Sequence, residues 1–182
     1  MKTLVIGVGN EFRGDDGVGR QVVRELRKRQ PANVSILESS GESFSLIEMW
    51  TGVEKVILVD ALQSGAEPGT IRRFDLGDQA MPAEVLGQCS THGSSVPEAI
   101  ELARYLHRLP PEVILYGIEA LHFEHGCSLS SFARSAVAVA LDRILTEILE
   151  EKQASNVPES KAVRLDPTES LGNEGSSSES VE

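Results

Sequence analysis

The sequence predicts a doubly wound α/β fold, in which helices cover both faces of a mostly parallel β-sheet. Over residues 1–152, short apolar runs alternate with segments whose apolar residues recur at helical spacing. The runs are apolar at nearly every position, which is typical of parallel strands that are buried on both faces. Parallel strands need a crossover connection, and the intervening helical segments provide it.

The first half of the chain contains three of the predicted strands and two helices. The strands cover Leu4–Val8, Val34–Leu37 and Val56–Asp60. Val18, Val22 and Leu26 recur at helical spacing, so the first helix is predicted to run from about Asp16 to Arg29. A shorter helix is predicted over Ser43–Trp50.

The second half continues the alternation. Pro68–Phe74 is a turn that leads into a weaker strand. Ser95 and Glu98 form a capping box, which predicts the start of the next helix. Val113–Ile118 is the following strand, and the last helix is predicted over Ser130–Lys152, with its apolar residues on one face.

The composition changes near residue 153, which divides the chain into two parts. Residues 153–182 contain seven serines, six acidic residues and two basic residues, and their apolar residues are isolated. Such a segment buries too little apolar surface to offset the entropy of ordering it. We therefore predict a single α/β domain over residues 1–152 and a disordered acidic tail over residues 153–182.

The bulk properties exclude several classes of function. The net charge is −11 and the pI is near 4.9, whereas nucleic-acid and anionic-membrane binders need a basic face. The apolar run at residues 4–8 is too short for a signal peptide, and no run approaches the roughly 18 apolar residues of a membrane span. With only Cys89 and Cys127, we expect a reduced, soluble, cytoplasmic protein, and we take a monomer as the working expectation.

Three polar clusters are predicted to lie at the carboxyl ends of the strands, where ligands bind in open α/β sheets. They are Asn10–Asp16 after the first strand, Asp60 at the end of the third, and Ser90–His92 before the capped helix. These clusters are far apart in the sequence, so only the predicted fold brings them close together.

The first cluster has a dinucleotide-binding alternative, because Gly7 and Gly9 sit between a strand and a helix. Phe12 occupies the place of the third glycine of that fingerprint. The acidic pair at residues 15 and 16 would repel a pyrophosphate at the helix N-terminus. Glu38, near the end of the second strand, is the one feature that still fits a ribose-binding acid. Dinucleotide binding is therefore disfavoured.

Asp15 and Asp16 each have a structural alternative, since an acid at a helix start satisfies free amides and favours the helix dipole. We assign that capping role to Asp15. Asp60 could equally serve an Asx-turn, and a loop histidine such as His92 is more often a surface residue than a ligand. Together, Asp16, Asp60 and His92 would supply two oxygens and one nitrogen to a borderline divalent metal with an open coordination position.

Two further readings of the cysteine and histidine residues are weaker. Cys89 and His92 have a Cys-x-x-His spacing and His122 and His125 a His-x-x-His spacing, but nothing brings the pairs together into a zinc site. Cys89 beside His92 lacks a clear orienting partner for a cysteine nucleophile. Cys127 is read as a small buried apolar residue.

Four blocks of sequence, in this order and at this spacing, resemble the hydrogenase maturation protease family. The blocks are Gly7–Gly19; Val59–Ala61 with Gly65 and Pro68–Thr70; Ser90–His92 followed by Val96 and Ile100; and Tyr116–Glu119 with Gly126–Ser130. They span nearly all of residues 1–150. Each block alone would be a weak signal, whereas the combination is specific.

The resemblance implies a three-layer α/β/α sandwich with five strands and an endopeptidase that removes the C-terminal extension of a nickel–iron hydrogenase large-subunit precursor. It implies that Asp16, Asp60 and His92 are both the metal-contacting and the catalytic residues, and that the nickel belongs to the immature active site of the substrate. Two alternatives are a peptidase with its own catalytic zinc and a nickel-sensing chaperone that binds the precursor without cutting it.

Overall fold

The computed structural model describes residues 2–77 and 96–155, with side chains described to residue 150. These residues contain five strands and four α-helices. The strands are β1 (Thr3–Val8), β2 (Val34–Ser39), β3 (Lys55–Leu62), β4 (Ile71–Asp75) and β5 (Glu112–Glu119). The helices are α1 (Val18–Arg29), α2 (Ser43–Trp50), α3 (Val96–Tyr105) and α4 (Ser131–Ser155), and a 3-10 helix covers Gly14–Gly17.

The strands form one sheet in the order β2-β1-β3-β5-β4. β1 pairs in parallel with both β2 and β3, and β3 pairs in parallel with β5. β4 is antiparallel to β5, because the short connection after β3 leaves no room for a crossover helix. The predicted doubly wound, mostly parallel α/β/α sandwich is confirmed, and the weaker strand is its antiparallel edge.

Two apolar layers enclose the sheet, one on each face. Side chains alternate along each strand, so Val5 and Ile57 pack beneath α1 and α4, whereas Leu4 and Val56 pack beneath α2 and α3. Trp50 of α2 is fully buried in the second layer. Each fully buried large apolar side chain contributes about 1.5–3 kcal/mol to folding, so these two layers supply most of the driving force.

Three differences from the predicted element boundaries bear on the site or on the division of the chain. The first helix starts at Val18, because the two residues of the acidic pair lie in the preceding 3-10 helix. β3 runs on to Leu62, so Asp60 lies within the strand, paired with Gly117, and not at its last position. α4 continues to Ser155, three residues into the predicted tail.

Some predictions concern parts of the chain outside the described residues. They include Cys89, the cluster Ser90–His92, the capping residue Ser95 and the remainder of the tail from residue 156. In the described ranges, no helix combines the length and the apolar character that crossing a membrane requires.

Candidate active site

Asp16 and Asp60 lie together at the carboxyl end of the sheet, and both side chains are buried. Each residue is only 4% exposed. Oδ2 of Asp16 accepts a hydrogen bond from the main-chain N–H of Asn10 at 3.2 Å. Oδ1 of Asp60 accepts one from the N–H of Ala61 at 2.8 Å. Two of the three sequence-predicted site residues are therefore brought together.

The charge of Asp16 perturbs the neighbouring carboxyl of Asp60. The pKa of Asp60 is raised to about 7, first because burial disfavours its charged form and second because the negative charge of Asp16 repels it. The hydrogen bond from Ala61 opposes this shift without cancelling it. A cation held between the two side chains would remove the repulsion, so the pair is a suitable place for a positive charge.

Glycines bring Asp16 over the ends of the strands. Gly9 has a φ of 125°, and a Cβ there would lie 1.8 Å from the carbonyl oxygen of Asp16. A Cβ at Gly19 would lie 2.1 Å from the carbonyl oxygen of Val59. The glycine-rich segment, Gly7–Gly19, therefore allows the 3-10 helix and α1 to pack closely against β1 and β3.

Asp15 does not cap the helix, and the predicted capping role is wrong. The 3-10 helix has no side-chain capping hydrogen bond. Instead, the fully buried carboxylate of Asp15 accepts hydrogen bonds from the N–H of Leu121 at 2.8 Å and from that of Ser130 at 2.6 Å. The donors lie more than a hundred residues away, so no local sequence pattern could have shown this role.

Main-chain hydrogen bonds complete the attachment of the loop after β5 to the glycine-rich segment. The N–H groups of Gly14 and Asp15 donate to the carbonyls of Cys127 and His122, both at 3.1 Å. In the other direction, the N–H of Gly126 donates to the carbonyl of Phe12 at 2.8 Å. The loop over residues 120–130 is thus a fixed wall of the site.

Glu119 is a further buried carboxylate at this edge of the sheet, and it was not among the sequence-predicted site residues. It ends β5 and is 4% exposed. Its carboxylate accepts hydrogen bonds from Oγ of Ser64 at 2.7 Å and from the N–H of Gly65 at 2.8 Å. These bonds hold the connection between β3 and β4. An acid at the end of an apolar strand is the pattern that predicted Asp60, and the same pattern could have identified Glu119.

The remaining metal-binding candidates are only partly described. His92 and Cys89 lie outside the described residues, so the third predicted ligand stays a prediction. Within the described ranges, no three His, Cys, Asp or Glu side chains are arranged to hold a metal ion. Cys127 is a half-buried free thiol whose Sγ donates to Glu124 at 3.7 Å, which corrects its reading as a buried apolar residue.

Glu38 is occupied by arginines of α1. Its carboxylate accepts hydrogen bonds from Arg20 at 3.0 Å and from Arg24 and Arg27 at 3.1 Å. Although burial opposes it, these guanidinium groups hold the pKa of Glu38 at about 2. The one residue that fitted a ribose-binding acid is therefore engaged in an ion-pair network, which removes that support for dinucleotide binding.

The fold and the buried acidic pair are those of a small α/β enzyme. Residues 20–147 match the family model of HycI, hydrogenase maturation protease. The hydrogenase expression/formation protein HupD of Bradyrhizobium diazoefficiens is 30% identical, over 78% of this chain and 74% of that protein. The hydrogenase 2 maturation protease of Escherichia coli is 26% identical, over 82% of this chain and 92% of that protein. The chain belongs to the hydrogenase maturation protease family.

Solved structures agree with this assignment. An Escherichia coli endopeptidase is similar with a TM-score of 0.71 and 25% identity, over 84% of this chain and 94% of that one. The fold of the hydrogenase maturating endopeptidase HybD from E. coli is similar with a TM-score of 0.65 and 23% identity, over 83% of this chain and 94% of that one. The prediction of a maturation endopeptidase is confirmed.

Proposed function

We propose that the enzyme removes the C-terminal extension of a nickel–iron hydrogenase large-subunit precursor after nickel has been inserted. In this proposal Asp16, Asp60 and His92 contact the nickel that the substrate carries. The observation that supports it best is the buried pair of carboxylates, which repel each other in the free enzyme. The relatives named as hydrogenase maturation proteases support the choice of substrate.

The donor set suits a metal that arrives with the substrate. Two carboxylate oxygens and one imidazole nitrogen would leave coordination positions open on a borderline divalent ion. Thiolates and other groups of the precursor could fill those positions. An enzyme that supplies only part of a coordination shell binds the metal well only when the substrate supplies the rest, and this would make cleavage depend on nickel insertion.

The same carboxylates can take part in hydrolysis of the peptide bond. One of the two carboxylates, or the cation itself, can promote the loss of a proton from the attacking water. The water oxygen would then attack the carbonyl carbon of the scissile bond, whose polarity a neighbouring cation increases. The C–N bond breaks when the leaving nitrogen takes up a proton. Two products result, the mature subunit and the released extension.

We also propose that the enzyme acts in the cytoplasm as a monomer. Its two cysteines suit a reducing compartment, and the described one, Cys127, is a free thiol.

Mass spectrometry of a precursor incubated with the wild-type enzyme tests the main proposal. The precursor is prepared with and without nickel, and the expected result is loss of the extension only from the loaded form. Equal cleavage of the nickel-free precursor would instead support a peptidase with its own zinc. Tight binding with no change in mass would show a chaperone and contradict the proposal.

A further inference from the structure

Arg13 is a half-buried arginine without a partner, in the segment between β1 and the 3-10 helix. Its Nε atom is buried without a hydrogen-bond acceptor, and its guanidinium forms no ion pair with any residue that the structure describes. The other half-buried arginines of the described ranges are all engaged, namely Arg20, Arg24, Arg72 and Arg104. A shortage of acids is not the reason, because the chain has 28 acidic and 17 basic residues. A buried cationic donor without an acceptor is unfavourable in the free protein, which indicates that the acceptor comes from another molecule.

The main chain of Arg13 is held next to that of Asp16. The N–H of Arg13 donates to the carbonyl of Asn10 at 3.1 Å, and its own carbonyl accepts from the N–H of Asp16 at 3.2 Å. The residues on either side of Arg13 are hydrogen-bonded to the loop over residues 120–130. The side chain therefore starts from a fixed point beside the acidic pair, which reduces the entropy lost when it binds a ligand.

A second nitrogen without a partner lies beside the same segment. Nδ1 of His122 is buried, and no described residue forms a hydrogen bond with it. The imidazole ring contacts Gly14, the residue after Arg13, since a Cβ at Gly14 would lie 2.4 Å from Nδ1. The Nδ1 atom of a histidine donates a hydrogen bond in one neutral tautomer and in the charged form. This part of the wall thus has more donors than acceptors, which suits an anionic ligand.

We propose that Arg13 binds a carboxylate of the large-subunit precursor close to the nickel and the bond to be cut. This inference rests on the proposed function. The Nε–H and one Nη–H of a guanidinium form a planar fork that matches the two oxygens of a carboxylate. A single carbonyl oxygen occupies only one of those donors, so a carboxylate is the better fit. Because Arg13 is bonded to Asp16, its charge also offsets the repulsion between this carboxylate and the acidic pair.

Steady-state cleavage of nickel-loaded precursor tests the inference with Arg13→Gln and Arg13→Lys. We expect Arg13→Gln to raise KM by about tenfold, as for the loss of a hydrogen bond between charged groups, while kcat changes less than twofold. Arg13→Lys should restore only part of the affinity, because an ammonium group lacks the planar fork. The matched control is Arg29→Gln at the exposed end of α1, and its KM should equal that of the wild type.

Substitutions in the precursor identify the carboxylate and do not depend on the stability of the enzyme variants. Each aspartate and glutamate within about ten residues of the bond is replaced singly by its amide, a range that covers the reach of an extended chain. One replacement should raise the KM of the wild-type enzyme as much as Arg13→Gln does. Combining the two should cost little more, since both remove the same ion pair. Arg13→Glu should cleave a precursor with lysine at that position better than it cleaves the native precursor.

The possible failures can be told apart. An unchanged KM for Arg13→Gln, or losses that multiply for every precursor carboxylate, would overturn the inference and leave the proposed function intact. A fall in kcat with an unchanged KM would also overturn it, because Arg13 would then act on the transition state. If the wild type does not cleave the precursor, the proposed function fails. Binding of the precursor, measured by surface plasmon resonance, then decides the inference, which is overturned if Arg13→Gln binds as tightly as the wild type.

Discussion

The carboxylate of Asp15 accepts a 2.6 Å hydrogen bond from the main-chain N–H of Ser130, which precedes α4 by one residue. A second bond, from Leu121, is made by the other oxygen of the same carboxylate. Asp15 thereby joins the 3-10 helix to both ends of the loop after β5. Its neighbour Asp16 lies beside Asp60, so the two adjacent acids have different surroundings.

Asp15→Asn should destabilise the protein, because an amide nitrogen would replace one of two oxygens that each accept a main-chain N–H. A buried donor left without an acceptor costs about 1–3 kcal/mol. For a domain of this size, that corresponds to a fall in Tm of about 2–4 °C per kcal/mol, which differential scanning calorimetry measures. The matched control is Asp142→Asn, an exposed position on α4. Equal Tm values for the two variants would contradict the role assigned to Asp15.

Asp60→Asn should abolish cleavage but stabilise the free enzyme at alkaline pH. The pKa of Asp60 is about 7 in the folded state against 3.8 for an ordinary aspartate, so the folded state binds more protons between these values. Stability therefore falls as pH rises from about 4 to 7, by an amount on the order of a few kcal/mol. Asparagine cannot ionise and avoids this cost. Calorimetry in the presence of a chelator should show a higher Tm for the variant at pH 8 and little difference at pH 4. If the Tm of the variant changed with pH in the same way as the Tm of the wild type, this explanation would be excluded.

The sequence was sufficient to predict the strands, the helices and the proximity of Asp16 and Asp60, for a physical reason. Apolar periodicity reports burial, and the rule that parallel strands share a carboxyl edge brings Asp16 and Asp60 together without any distance being known. The partners of Asp15 could not be predicted, since main-chain N–H groups carry no sequence signal. Glu119 carried the same signal as Asp60, but only the structure shows that it holds the connection after β3.

A buried cation on the amino side of the sheet is paired with two glutamates, one of which lies on α4. Lys55 is 1% exposed, and its Nζ lies 3.0 Å from the carboxylate of Glu147. That carboxylate also accepts hydrogen bonds from the hydroxyl of Tyr116 at 2.6 Å and from the guanidinium of Arg73. Although burial opposes it, the hydrogen bonds from Arg73, Tyr116 and Lys55 hold the pKa of Glu147 at about 2. Since this pKa is lower in the folded state, the stabilisation is complete above the ordinary value of 4.5 and is lost as pH falls towards 2.

Glu147→Gln should therefore lower Tm at pH 7 by several degrees and make the Tm less sensitive to acid between pH 4.5 and 2. Removing one member of a buried ion pair costs about 3–5 kcal/mol, and Glu112 at 2.6 Å from Lys55 should reduce that cost here. The control is Glu150→Gln, an exposed glutamate on the same helix. Thermal unfolding followed by circular dichroism over this pH range provides the comparison. A similar Tm for the two variants would show that the network contributes nothing to stability.

Asp16→Asn, Asp60→Asn and His92→Ala should each nearly abolish removal of the extension, and their effects should not add. If all three side chains act through one nickel ion, losing any of them removes the same interaction, so a double variant should be little worse than a single one. If the three side chains acted independently, the factors by which the single substitutions slow cleavage would instead multiply in the double variants. The measurement is the rate at which each variant shortens the nickel-loaded precursor, followed by mass spectrometry, with circular dichroism to show that the fold is retained. The control histidine is His107→Ala, because His107 is exposed on the segment after α3. Full cleavage by His92→Ala, or multiplicative losses in the double variants, would refute a shared contact with nickel.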